Sequence, residues 1–580
     1  MTRLVLAVVS ALVGVLLLVP VVSALSVVGP DDVTETPVLT LDDGVSAFVL
    51  NQGVVPYENT TAALHVRAPE GTQVFLGQAN GVDVRSYLAG VSTDEVTTVT
   101  FPGSLEHRSR DGAESPGASP DSRDWWTEQQ VGTEVSHTFD LEADPQMLVV
   151  LPAAAAAEDG TAEDGAEDSE AAEAPATLDG TQVSMSMRTD GVFGLAVLGI
   201  GLVVLFLGLG AFFFLLWWNG RIRPRKRRVG TVTSGAGPTD SATSGSDRGA
   251  VRPRLLVPAA AVVLALVLAG CAPLDFARPS QPVLEEPRRP AVLPGGGAAF
   301  MENYTQVLEE ALDSGGDGID RTMYGPMLDR TRAEQVIAEA GGSELSAVHF
   351  ARVTAAGPTF TEYPLWFLAF AEPTEDSENV QVLLATRESA SEEWMVPQGL
   401  FVPRSQMPTL VTDESGGVPA APEAHGQVAD QISSQLAGYL ETGNLTEIDG
   451  VATEFPTEAF SDFRSYVDEF AASEDFESVG VECGEDTTVD LGAHALTTES
   501  GSVSVGEMRC TITFSVASSY SLDLGEQIEA VMTTDSDGNT VSIHSSLPYY
   551  VNLTGTEGDD PSAFVSAPDW FLLSAETATG

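Results

Sequence analysis

The sequence predicts a multidomain membrane protein that combines an all-β sandwich ectodomain with two α+β modules. Three observations carry that reading. Long apolar segments divide the chain, one stretch holds short alternating strands broken by Gly, Asp and Pro, and a helix, helix, strands pattern occurs twice in the C-terminal half. At 580 residues the chain has room for about three or four domains of roughly 150 residues, less the membrane segments.

Residues 1–28 open with Arg3 and continue as Val, Leu and Ala, so they read either as a signal peptide cleaved after Ala24 or as a first membrane helix. Residues 192–218 carry no charge and are long enough to span a hydrocarbon core of about 30 Å with some tilt. Arg221, Arg223, Arg225, Lys226, Arg227 and Arg228 follow at once, and the positive-inside rule places that cluster in the cytoplasm. Residues 219–254 then form a basic cytoplasmic loop and a Gly/Ser/Thr-rich linker. The third apolar segment, 255–271, is short for a span and ends in Leu268, Ala269, Gly270 and Cys271. That order matches a lipoprotein signal with Cys271 as the lipidated residue; the alternative is a third membrane helix. Both large domains are then expected outside the cell membrane.

Between residues 29 and 190 the apolar pattern is short and alternating, which indicates the sandwich. Val82 to Leu88 reads as a short helix inside it. Two insertions, near 104–124 and 153–180, are too polar to bury a core and are expected to be disordered. The paired acids at Glu158-Asp159, Glu163-Asp164 and Glu167-Asp168 lack the spacing of a calcium loop and read as a solvated spacer. The stretch Gln73-Val74-Phe75-Leu76-Gly77, Asp83 to Val91 and Trp125-Trp126, followed by a membrane helix, resembles a family of uncharacterised actinobacterial membrane proteins. That resemblance covers most of residues 40–220 and implies an extracytoplasmic β domain on a helix, with no activity attached. Tyr87, Trp125 and Trp126 are expected to pack in the core or rim.

Beyond a Pro-rich tether at 272–298, residues 299–415 form the first α+β module. Its helices carry Tyr304, Val307, Leu308 and Ala311, then Ala333 to Ala338; strands follow at 347–354, 363–371, 380–386 and 394–401. Residues 423–575 repeat the pattern, with Val428, Ile432, Leu436 and Tyr439 on one helix and Phe460, Phe463, Val467 and Phe470 on another. Met508, Cys510, Ile512, Phe514 and Val516 alternate with polar residues as a half-buried strand, and 528–534 and 540–547 read as a hairpin turning at Asp535 to Asn539. Helices followed by an antiparallel sheet resemble the cone-shaped nuclear transport factor 2-like fold in tandem. Tyr324-Gly325-Pro326, Arg332-Ala333-Glu334 and Tyr363 to Ala369 also resemble uncharacterised actinobacterial lipoproteins, which implies an envelope location.

The formal net charge is −57, from 84 acidic and 27 basic residues, and nine of the basic ones lie between Arg221 and Arg254. So acidic a surface repels nucleic acid, which is excluded as a partner. The membrane and other envelope proteins are the partners expected. Cys483 and Cys510, the cysteines left once Cys271 is assigned to the lipid signal, are expected to form a disulfide. The seven histidines show no metal-ligand spacing, no nucleophile motif or phosphate loop is present, and no metal or cofactor is expected. Enzymes of the cone fold place acid–base pairs in the cavity, and Tyr363, His349 and Glu362 are the nearest approach here. The function read from the chain is therefore a non-enzymatic envelope protein presenting binding or scaffolding modules, with a small-ligand carrier or hydrolase as the alternative.

Overall fold

The structure, a computed structural model, describes residues 2–27, 31–153, 177–222 and 278–578 apart from short stretches within those ranges. Most of the 153–180 insertion, the basic residues Arg223 to Arg228, the linker, and the 255–271 segment with Leu268, Ala269, Gly270 and Cys271 lie outside the described residues, as do 535–537. The chain divides into two compact units. The first comprises Met1–Gln78, Val91–Ser115 and Thr127–Glu285; the second comprises Ala79–Gly90, Pro116–Trp126 and Glu286–Gly580.

In the first unit, helices α1 (Thr2–Val27) and α3 (Val192–Ile222) are each long and apolar enough to cross a membrane, and Arg221 falls in the last turn of α3. Helix α2 (Gly81–Tyr87), between them in sequence, belongs to the second unit. Two sheets enclose a common core. One orders the strands Val33–Glu35, Gln182–Arg188, Thr61–Arg67 and Glu134–Asp140, with Leu39–Thr40 beside the second of them. The other orders Leu105–Arg110, Thr93–Val99, Ala47–Asn51, Met147–Ala153, Gln73–Ala79 and Glu128–Gly132. Alternation decides what each contributes: along Glu134–Asp140, Val135, His137 and Phe139 are buried while the residues between them are exposed. Leu64, Val66, Val183 and Met185 of one sheet meet Phe48, Leu50, Leu76, Leu148 and Val150 of the other.

The 104–124 insertion departs from expectation. Leu105–Arg110 pairs antiparallel with Thr93–Val99, and the buried Asp94 lies 2.6 Å from His107 and also accepts from Ser109 Oγ. Backbone pairing and that carboxylate order a segment whose composition offers only Leu105 to the core.

The second unit holds both α+β modules. The first has α4 (Gly296–Asp313), α5 (Gly325–Ala340) and a four-stranded antiparallel sheet of Phe350–Ala356, Leu365–Pro373, Asn379–Arg387 and Met395–Pro403. The second has α6 (Glu423–Thr442), α7 (Glu458–Ala472) and a sheet built on the long strands Gly501–Val516 and Thr540–Thr554. Successive side chains of a strand face opposite sides, so the continuous burial of Leu365–Ala371 requires cover on both. Phe367, Ala369 and Ala371 pack with Phe300, Met301 and Tyr304 of α4. Trp366, Leu368 and Phe370 pack instead with Val489, Leu496, Val503, Val505 and Tyr550, which belong to the second module. The two modules therefore share a core cluster between their own cores.

A buried ion pair marks the same junction. Arg330 of α5 lies 3.5 Å from Glu507 in the 501–516 strand, donates to Gly399 O at 2.6 Å, and sits over the Phe571 ring. Gln398 and Ser546 both donate to Glu507. Burial pushes the Arg330 guanidinium down and the Glu507 carboxyl up, and each partner's charge opposes that shift.

The expected strand at 528–534 is instead a short helix, α8 (Glu526–Ala530), followed by a single bridge from Met532 to Ala575. Ile528, Ala530 and Met532 satisfy a period of two, but Ile528 and Val531 fit one helical turn equally well, and the run is too short for periodicity to decide.

Candidate functional site

Two pieces of sequence from before the apolar helix α3 are built into the second unit, and buried charge holds them there. Asn80 caps α2, its Oδ1 accepting from Val82 N at 2.9 Å, while its Nδ2 donates to Arg288 O at 2.7 Å. One turn along, the buried Asp83 meets Arg289, with 2.7 Å between Oδ2 and Nε, and accepts from the Tyr363 hydroxyl at 2.6 Å. Burial pushes the Asp83 carboxyl up against the pull of Arg289, the Tyr363 hydrogen bond and Arg387. Burial, with the Asp83 charge adding to it, also raises Tyr363, so its hydroxyl stays protonated as the donor.

The second piece, Pro116–Trp126, grips the turn after the Asn379–Arg387 strand. Arg387, fully buried, pairs with Asp124 at 2.9 Å, donates to Glu392 O at 2.7 Å, and stands 5.7 Å from the centre of the Trp394 ring. Trp125 donates its indole N–H to Ala390 O at 2.9 Å, and Ser86 Oγ accepts from Ala390 N at 3.0 Å. Arg123 reaches Ser391 O and the Glu393 carboxylate, both at 3.0 Å. Tyr87 packs edge-on against Trp125 and Trp126. These aromatic residues pack as expected, but in the second unit, against the 388–394 turn.

A cleft of about 320 Å³ opens beside this network. Phe300, Phe367 and Trp394 are among its apolar walls, while Asp124, Arg289, Asn303 and Glu393 supply polar groups. It lies at the small end of the range for organic ligands, roughly 300–1,000 Å³. Asp124 and Glu393 are both engaged by arginines, so a ligand there meets no net charge from them. A second cleft, about 620 Å³, lies over the polar face of the second module's sheet between Arg332, Val336, Arg509, Thr511, Val531 and His544. Arg509 in it is held by Asp329 at 2.8 Å and by Asp486 at 3.0 Å.

The acid–base pair sought from sequence is not brought together. Tyr363 is committed to Asp83, Glu362 is exposed, and His349 pairs with Glu309 at 3.3 Å in a groove beside α4. Among the described residues no group of three or more His, Cys, Asp or Glu side chains is placed to hold a metal. Cys483 and Cys510 sit directly opposite on paired strands, Cα atoms 4.2 Å apart, and form a disulfide. Sequence reasoning missed Asp83, Arg289 and Arg387 as a set. The one signal available was Asp83 between Val82 and Val84 on a helix otherwise apolar enough to be buried.

No curated protein and no solved structure matches the chain. Residues 290–548, which run from the first module well into the second, match a family described as Domain of unknown function (DUF8094), and over that stretch the chain is similar to it.

Proposed function

We propose that the protein is a non-enzymatic, membrane-anchored component of the cell envelope whose extracytoplasmic body is a platform for binding or scaffolding other envelope proteins. The observation that carries this reading is the joining of Ala79–Gly90 and Pro116–Trp126 to Glu286–Gly580 in one compact unit. One body cannot lie on both sides of a membrane, which supports an even number of crossings between residues 126 and 286. Helix α3 supplies one crossing, and the basic residues from Arg221 to Lys226 make its C-terminal end cytoplasmic. The 255–271 segment then supplies the return, as a third helix or as a lipoprotein signal ending at Cys271. In both modules two helices precede the main strands, which supports the nuclear transport factor 2-like reading, and the acidic surface suits protein partners better than nucleic acid.

A second reading, a carrier for a small apolar molecule, is favoured by the aromatic cleft near Trp394. Purification of the tagged chain from membranes in mild detergent, with crosslinking before lysis, tests both. A platform recovers the same envelope protein in a fixed ratio from independent preparations. A chain that elutes alone, carrying a small molecule that a Trp394→Ala variant loses, would make the carrier reading the right one.

A further inference from the structure

Sequence leaves α1 open as a cleaved leader or a permanent helix, and its packing against α3 bears on that choice. Without water to expel, membrane helices associate through close van der Waals packing, which small residues permit by letting backbones approach. Such a seam runs the length of the pair. A Cβ placed on Gly210 would lie 3.2 Å from Ala7 O and 3.3 Å from Ala11 N; one on Gly14 would meet the Leu207 side chain at 2.9 Å; one on Gly199 would meet Val21 at 2.5 Å. The order is antiparallel, residue numbers rising on α1 as they fall on α3. Ala7, Ala196 and Val203 are buried, while Leu12, Leu16, Leu198 and Phe212 on the outward faces are exposed as lipid contacts would be.

The ends are joined as well. Asp32, with a left-handed φ of 58°, accepts from the Phe193 backbone N–H at 2.6 Å and so satisfies a donor of α3's first turn. Its carbonyl accepts from Thr189 N at 2.7 Å, and Val33–Glu35 pairs in register with Ser186–Arg188. At the opposite end Arg3 and Arg221 belong to the same side by charge.

We infer that α1 is retained in the mature protein and forms an antiparallel membrane hairpin with α3, its partner surface being the seam around Gly199, Val203 and Gly210. A leader needs an apolar segment and a cleavage site; it has no use for a complementary face matched to a helix nearly two hundred residues away. Two measurements on the full chain test this. Mass spectrometry of the mature protein should recover peptides from residues before Leu25, and a mature chain starting at Leu25 would overturn the proposal. Separately, an Ala11→Cys, Gly210→Cys pair is oxidised in membranes of a variant carrying a protease site near residue 165. After cleavage the two fragments should stay linked on non-reducing gels, whereas a Leu12→Cys, Phe212→Cys pair on the outward faces should link several-fold less. Equal linking of the two pairs, or none, refutes the seam.

Discussion

A carboxylate buried on a seven-residue helix needs partners, and those of Asp83, Arg289 and Tyr363, both come from beyond residue 285. Removing one member of a buried ion pair leaves the other charge desolvated and unpaired, at a cost of about 3–5 kcal/mol. Asp83→Ala is therefore expected to destabilise the detergent-solubilised chain by that amount in thermal or denaturant unfolding, and Asp83→Leu with Arg289→Met by much less, since no charge is stranded. Tyr363→Phe removes a hydrogen bond to a charged acceptor, worth about 1.5–3 kcal/mol. If Asp83→Ala and the apolar double variant prove equally stable, the pair is not a determinant. These residues were illegible in the sequence because Tyr363 and Asp83 are 280 positions apart, and no periodicity reports a contact at that distance.

Elements were most legible where one face alone is buried. Arg509 to Ser515 alternate with buried Cys510, Ile512 and Phe514, and the strand is found where alternation places it. Legibility fell where pairing replaced burial, as in Leu105–Arg110, and where the run was short, as in α8. The disulfide belongs to this scale, since it ties the edge strand Phe476–Glu485 to the Gly501–Val516 strand it pairs with. Closing a loop of 27 residues restricts the unfolded chain by about 3.5 kcal/mol. Replacing both cysteines by alanine should lower unfolding stability by that amount and leave the first module's ion pairs intact. Protection of amides in the 476–485 strand, followed by hydrogen exchange, should fall more than protection in the Leu365–Pro373 strand. Equal loss in both would show that the bridge serves the whole unit and has no special hold on the edge.

At the scale of the molecule, the proposed even number of crossings puts residues 219–254 in the cytoplasm. A cysteine at Ser234 should resist an impermeant thiol reagent in intact cells and react once the membrane is opened; reaction in intact cells would mean that α3 runs the other way. Cys271 then poses the question of covalent continuity. If a peptidase cuts before Cys271, the N-terminal product keeps Ala79–Gly90 and Pro116–Trp126 while the lipoprotein keeps Arg289, Tyr363 and Arg387, yet these residues belong to one compact unit. The two products should therefore separate in denaturing gels but co-purify in mild detergent through a tag at the C-terminus. Cys271→Ala should replace them with a single full-length band lacking incorporated fatty acid. Lipid attachment of roughly 0.8 kcal/mol per buried CH₂ would anchor the released module without a third helix. A wild-type chain that already runs as one band, unchanged by Cys271→Ala, would make the 255–271 segment a membrane helix. Cleaved products that part in mild detergent would instead contradict the single body, because the Asp83 and Arg387 ion pairs would then be too weak to hold two chains together.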